Sequence, residues 1–109
     1  MRSHLNSRAF LAIESDKKTI EGRLHKNFFK EIEIEDIWTF FNDEGDEVIV
    51  KVMDIRHYET IREYLEKEGL KKTVPYALDL EDGIRIYLQF YSEEKEIEYG
   101  VVAFEIKKV

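Results

Sequence analysis

The sequence contains no cysteine, one proline and five glycines in 109 residues. Without cysteine, the chain can form no disulfide bond, cysteine-ligated zinc site, iron–sulfur cluster or thiol nucleophile. Its uncharged apolar runs are short, such as Val48-Ile49-Val50, whereas a membrane-spanning helix needs roughly 20 apolar residues. The N-terminal residues lack the apolar stretch of a secretory signal. We therefore expect a cytoplasmic protein with no membrane segment, whose chemistry depends on oxygen, amine and imidazole groups.

The composition indicates one folded domain over residues 1–109. Hydrophobic residues make up 43% of the chain and aromatic residues 13%, which is enough to form a core and argues against disorder. Charged residues make up 38%, while asparagine and glutamine are scarce, a balance reported for proteins of hot environments. No repeat or linker divides the chain, and we expect a monomer.

The net charge of −7 is unevenly distributed. Residues 17–30 contain five basic residues and one acidic residue, so this segment carries +4 and the remainder carries −11. A locally positive segment on an acidic body can attract an anionic ligand. The alternative is a solvated loop whose charges have no shared role.

Patterns of capping, hydrophobic spacing and turn residues predict the order of helices and strands. The predicted helices are 7–14, 60–69, a helix after Asp79 and a short one at 92–98, and the predicted strands are 19–24, 36–41, 47–56 and 101–107. The strand at 47–56 is apolar on both faces, which predicts burial on both sides. This order favours an α+β domain built on a small antiparallel β-barrel flanked by three or four helices.

A charged motif lies at the start of the first predicted strand. Glu21 and Arg23 share one strand face and are spaced roughly 6.6 Å apart along it, and Lys18 precedes them in the turn. An arginine fork and a lysine ammonium can bind phosphate or carboxylate oxygens. The alternative is a surface ladder of ion pairs, worth about 0–1 kcal/mol.

The segment Lys18-Thr19-Ile20-Glu21-Gly22-Arg23 resembles the Lys-x-x-Glu-x-Arg signature of ASCH domains, and residues 52–56 and 91–101 resemble archaeal members of that family. The resemblance extends over most of the chain. It implies a single ASCH domain with a PUA-like barrel and an association with RNA. The family usually has glycine two positions before the lysine, where this chain has Asp16.

Amidohydrolases of the family that act on an acylated nucleoside suggest what an active site here would contain. The resemblance places a catalytic lysine at Lys18 and a catalytic glutamate at Glu68, with Glu66 as the alternative, and puts Glu21 where those enzymes have a nucleophilic threonine. A carboxylate cannot replace that hydroxyl without forming an anhydride intermediate, so this activity is not carried over. Lys18 with Glu21 or Glu68 remains a candidate acid–base pair for a phosphodiester or an amide, with Arg23 stabilising the anion.

Aromatic residues fall into two groups. Phe28 and Phe29 lie in the basic segment and are candidates for stacking on bases, as in single-strand binders. Trp38, Phe40 and Phe41 lie in a predicted strand and are expected in the core.

The leading hypothesis is a domain that binds RNA or a modified nucleoside in a cleft between the first predicted strand and the helix that ends near Glu68. The expected binding residues are Lys17, Lys18, Glu21, Arg23, His25 and Lys26. One alternative is a hydrolase of RNA or an acylated nucleoside that uses Lys18 and Glu68, and a second is a protein-interaction module with an acidic helical face. The spacing of the three histidines matches no metal site, and no cofactor motif is present.

Overall fold

The computed structural model describes residues 1–109 as one curled five-stranded sheet with helices on both faces. The strands are β1 (Arg2–His4), β2 (Ile20–Leu24), β3 (Ile37–Phe41), β4 (Glu47–Tyr58) and β5 (Val101–Lys108). The helices are α1 (Ser7–Glu14), α2 (Ile61–Glu68), α3 (Leu70–Thr73), α4 (Leu80–Leu88) and α5 (Glu93–Tyr99), with one turn of 3₁₀ helix at Asn27–Lys30.

The strand order in the sheet is β1-β3-β4-β5-β2, so β1 and β2 form its two edges. β1 pairs in parallel with β3, and every other pair is antiparallel. The predicted hairpin is present as β3 and β4, joined by a turn in which Gly45 has a φ of +85°. The sheet is a half-barrel, which confirms the predicted α+β class and PUA-like fold.

The helix starts follow from side-chain caps that the sequence displays. Asn6 accepts a hydrogen bond from the backbone N–H of Ala9 at 2.9 Å, and Thr60 accepts one from Glu63 at 3.0 Å. Asp79 and Ser92 cap α4 and α5 in the same way. These caps satisfy backbone donors that have no partner within the helix, so these four helices begin as predicted.

Two apolar clusters lie on opposite faces of the sheet. The inner cluster is centred on Trp38, Phe40 and Phe104, which are fully buried, and α1 covers it. The outer cluster packs α2 and α4 against Ile20 and Ala103. The expected burial of Trp38 and Phe40 is thus confirmed, whereas that of Phe41 is wrong: Phe41 is half-buried and packs against Arg2 and His4 outside the core.

The prediction that β4 is buried on both faces is wrong. Val48, Val50 and Val52 face the inner cluster, but Ile49 and Met53 on the other face are 44% and 42% exposed. The helices cover the outer face near β2 and β5 and leave this part of β4 open. None of the helices has the length and apolar character needed to cross a membrane.

Asp16 occupies the turn between α1 and β2 with a φ of +63°. This left-handed conformation suits glycine, and aspartate is one of the few other residues that adopt it readily. The turn therefore has a backbone conformation that glycine would also adopt without strain. It directs Lys18 into the protein interior, where the side chain is 3% exposed.

Candidate functional site

A cavity of about 250 Å³ lies where the two edge strands of the curled sheet approach each other. We call it the edge cavity. The charged triad comes from β2 and the turn that precedes it, His4 comes from the end of β1, and the helices α1 and α4 close the sides. Its lining residues are His4, Leu5, Asn6, Ala9, Lys18, Glu21, Gly22, Arg23, Tyr76, Ile86, Tyr87, Phe90 and Tyr91.

Lys18 is held by three contacts inside the protein. Its Nζ donates to the backbone carbonyls of Ile20 at 2.7 Å and Thr73 at 2.5 Å, and it lies 3.2 Å from Oε1 of Glu21. An ammonium group has three N–H donors. All three are therefore used within the protein, which fixes Lys18 as an anchor for the Glu21 carboxylate.

Glu21 joins Lys18 to Arg23. The Nε and Nη2 atoms of Arg23 lie 2.9 Å and 2.8 Å from Oε2 of Glu21, whose side chain is 6% exposed. The guanidinium carbon of Arg23 lies 5.1 Å from the ring centre of Phe29 and 5.9 Å from that of Trp38. Of the five N–H donors of an arginine, those on Nη1 and one on Nη2 have no protein partner. Arg23 is thus oriented and can still donate to a ligand.

The triad perturbs the protonation of its members. Burial lowers the pKa of Lys18, and the neighbouring Glu21 carboxylate opposes this shift. Burial alone would raise the pKa of Glu21, but Arg23 and Lys18 outweigh it and hold that pKa below its ordinary value. Two basic side chains thus share one carboxylate, which gives the triad a formal charge of +1.

Aromatic side chains form a wall of the same cavity. Tyr76, Tyr87, Phe90 and Tyr91 come from α4 and its flanking residues. The hydroxyl groups of Tyr87 and Tyr64 are 2.8 Å apart, and burial raises the pKa of both well above the usual range. Burial also raises the pKa of Tyr91 to about 12. The wall is therefore neutral at physiological pH, and the triad provides the charge.

The structure brings together Lys18, Glu21 and Arg23 of the predicted binding residues. Lys17 is exposed and lies outside the cavity lining. The ring of His25 packs against His57 with 4.8 Å between ring centres, and Nζ of Lys26 lies 5.5 Å from the ring centre of Tyr99. His25 and Lys26 follow the end of β2 and do not lie on the strand face that lines the cavity.

Glu68 lies apart from the triad. Its carboxylate accepts two hydrogen bonds from Arg56, at 2.7 and 2.8 Å, and one from the hydroxyl of Tyr58 at 2.5 Å. Arg56 also binds Asp54 and Glu105, and Glu66 is exposed. The structure therefore does not pair Lys18 with either glutamate, and the cavity is bounded by α1 and α4 where the sequence suggested the end of α2.

Sequence reasoning missed the aromatic wall and the contribution of β1. The hydrophobic spacing after Asp79 predicted a helix, but it gave no sign that Tyr87 and Tyr91 line a cavity. β1 has three residues, too few for an alternating pattern. No cluster of three or more histidine or acidic side chains that could hold a metal ion is present.

Comparison with solved structures supports both the fold and the relationship. The hypothetical protein PH0355 is 38% identical over 100% of both chains, with a TM-score of 0.86. Protein PF0455 from Pyrococcus furiosus is 39% identical over 100% of this chain and 98% of its own, with a TM-score of 0.77. Protein EF3133 from Enterococcus faecalis shares the fold, with a TM-score of 0.65 at 11% identity over 94% of this chain and 67% of its own.

No functionally curated protein matches the sequence. The model of the ASCH domain family matches residues 4–109. This match extends from the end of β1 to the last residue and includes the Lys18, Glu21 and Arg23 motif. The chain therefore belongs to the ASCH domain family.

Proposed function

We propose that the protein binds a nucleoside, or one nucleotide of an RNA, in the edge cavity. The observation that supports this most is the charge of the lining, in which Glu21 is the one carboxylate against Lys18 and Arg23. A net positive charge in a buried site attracts anionic and carbonyl oxygens more strongly than it would in water. Members of the ASCH family are commonly RNA-binding.

The aromatic wall supports a planar ligand. Nucleobases stack on aromatic side chains, which contributes about 1–3 kcal/mol per base. Tyr91 and Phe90 line the cavity together with Arg23, and Phe90 is 59% exposed. A base held between this wall and the guanidinium plane would be contacted on both faces.

The shape of the site supports a single nucleotide over a long strand. Ligand cavities in proteins measure roughly 300–1,000 Å³, and the edge cavity, at about 250 Å³, is slightly smaller than this range. Extended RNA binding relies on neutralising many phosphates. A protein with a net charge of −7 is poorly suited to that.

A neighbouring groove provides a place for a phosphate. It shares Tyr76 and Phe90 with the edge cavity and continues to Arg8 and Arg85 on the surface. The guanidinium carbon of Arg8 lies 4.2 Å from the ring centre of Tyr76, and Arg85 pairs with Asp82. In this proposal the base enters the edge cavity, and its phosphate or the adjoining RNA backbone lies along the groove.

The residues of the triad have separate tasks in this proposal. Arg23 and the remaining lone pairs of Glu21 contact the ligand, and Lys18 positions Glu21. Lys18 is a poor general acid or base here because loss of a proton would break one of its contacts to Glu21, Ile20 or Thr73. Since Glu68 is bound to Arg56 elsewhere, binding is favoured over hydrolysis.

A ligand titration tests the proposal. The panel contains nucleosides, among them acetylated cytidine, the corresponding 5′-monophosphates and short single-stranded RNAs. Backbone amide shifts report binding, and chromatography of the same samples reports product. We expect shifts at residues 18–23 and 86–91 without turnover. The proposal fails if no ligand in the panel shifts these amides at millimolar concentration.

Matched arginine variants test the assignment of the site. Arg23→Gln should weaken binding at least tenfold because it removes a charged hydrogen-bond donor, worth about 1.5–3 kcal/mol. Arg62→Gln is the control, because Arg62 is exposed, pairs with Glu81 and lies outside both the cavity and the groove. Arg8→Gln with Arg85→Gln should weaken monophosphate binding and leave nucleoside binding unchanged.

A further inference from the structure

The edge of β2 presents backbone groups that no strand pairs. β2 pairs only with β5, and its odd-numbered residues face that partner: Thr19 C=O accepts from Ile106 N–H at 2.9 Å, and His25 N–H donates to Gly100 C=O at 3.1 Å. Successive residues of a strand direct their backbone groups to opposite sides. The N–H and C=O groups of Ile20, Gly22 and Leu24 therefore point away from β5.

Two of the three carbonyls on that edge accept hydrogen bonds from within the protein. Lys18 Nζ donates to the carbonyl of Ile20 at 2.7 Å, and the backbone N–H of Lys26 donates to that of Leu24 at 2.8 Å. Gly22 lies between them with no protein partner for its C=O or N–H, although the residue is buried. Buried backbone groups are almost always paired, so Gly22 stands out as a place where a ligand completes the bonding.

Glycine is required here by packing on the outer face of the sheet. A Cβ atom on Gly22 would lie 2.4 Å from the ring of Tyr64. Tyr64 is fully buried and hydrogen-bonds to Tyr87. The close approach of α2 thus fixes the peptide of Gly22, while its free edge forms part of the cavity wall between Glu21 and Arg23.

We propose that Gly22 binds the Watson–Crick edge of the ligand's base. Its C=O accepts from the base N–H, and its N–H donates to the adjacent acceptor, as two facing residues of antiparallel strands exchange bonds. Each of the four bases carries such an adjacent donor and acceptor on that edge. The inference rests on the proposed function and adds that the base must be unpaired, so the ligand is a free nucleotide or a single-stranded RNA.

An extended peptide is a poorer occupant of this edge. A peptide added to a sheet needs several consecutive free backbone groups. Here the flanking carbonyls of Ile20 and Leu24 are taken, so only Gly22 has both its C=O and its N–H open. A small planar ligand matches that length.

Methylated nucleosides test this inference directly. Each of the four unmodified nucleosides is compared with an uncharged counterpart whose Watson–Crick edge is blocked by methylation, at N3 of uridine, at N1 of guanosine, or twice on the exocyclic amine of adenosine or cytidine. The 2′-O-methyl nucleosides are the control, because they carry a methyl group on the ribose and keep the base edge free. We expect base methylation to weaken binding at least tenfold and ribose methylation to change it less than threefold.

Amide spectra give a second, independent measurement. Saturation with the unmodified nucleoside that binds most tightly should shift the Gly22 amide proton downfield and slow its exchange with solvent. Equal binding of the parent and base-methylated nucleosides, or an unmoved Gly22 amide in the saturated protein, would overturn the inference and leave the proposed function standing. If no nucleoside binds at all, the proposed function fails and this inference fails with it.

Discussion

Replacing Glu21 with glutamine tests whether the triad is a buried ionic unit. The substitution keeps the shape of the side chain but removes its charge. The Lys18 ammonium, 3% exposed, would then face only the carbonyls of Ile20 and Thr73. Removing one partner of a buried ion pair costs about 3–5 kcal/mol, a large part of the roughly 5–15 kcal/mol that stabilises a domain.

This loss should be visible in thermal unfolding. For a domain of this size each kcal/mol shifts Tm by about 4–8 °C, so Glu21→Gln should lower Tm by roughly 12–40 °C. Circular dichroism and the fluorescence of the single, buried Trp38 follow the transition. The control is Glu81→Gln, because Glu81 also pairs with an arginine, at 2.7 Å from Arg62, but is 69% exposed. Its Tm should barely change.

A double variant separates lost charge pairing from lost packing. Lys18→Met removes the ammonium that Glu21→Gln leaves without a counter-charge, and apolar replacement of a buried pair is often tolerated. The double variant should therefore unfold at a higher temperature than Glu21→Gln alone. Equal Tm losses for Glu21→Gln and Glu81→Gln, or a double variant no more stable than the single one, would refute this account of the triad.

Three further predictions concern acid stability and backbone geometry. The pKa of Glu21 is lower in the folded state, so ionised Glu21 contributes its full stabilisation above its ordinary unfolded pKa of about 4.3. That stabilisation is lost as pH falls through the folded pKa. Urea unfolding midpoints measured from pH 7 to pH 2 should therefore decline less in Glu21→Gln than in the wild type. Gly22→Ala should cost about 1–3 kcal/mol in urea unfolding because its Cβ overlaps Tyr64, and a variant as stable as the wild type contradicts that. Asp16→Val should cost about 1–2 kcal/mol at the positive φ, whereas Asp16→Asn should be nearly neutral in the same assay.

The sequence predicted those parts of the fold that local chemistry determines. The caps at Asn6 and Thr60 act within one helical turn, and the β3–β4 hairpin follows from a short glycine-containing turn. The grouping of Lys18, Glu21 and Arg23 is also local, because all three lie within one turn and one short strand. In each case the interacting residues are close along the chain.

The rest of the site depends on contacts between distant segments. β1 is recognisable only through its parallel pairing with β3, 37 residues away in register, and the wall at Tyr76, Tyr87 and Tyr91 approaches β2 only in the folded chain. The resemblance left Glu66 and Glu68 as alternatives for a glutamate at the site. Neither lines the cavity, and Arg56 binds Glu68 with two hydrogen bonds, a pairing that no local pattern shows.

In the edge cavity, different residues support the site and bind the ligand. Lys18 is buried, and its three N–H donors are used by two backbone carbonyls and one carboxylate. That carboxylate orients Arg23, whose remaining donors face the cavity beside the open backbone edge of Gly22. Every buried polar side-chain atom has a partner, and Arg23 and Gly22 are neighbours that both keep hydrogen-bonding groups available for a ligand. Because the surrounding chain is strongly acidic, a ligand that reaches them must be small, and it must offer both an oxygen for the guanidinium and an unpaired base edge for the backbone.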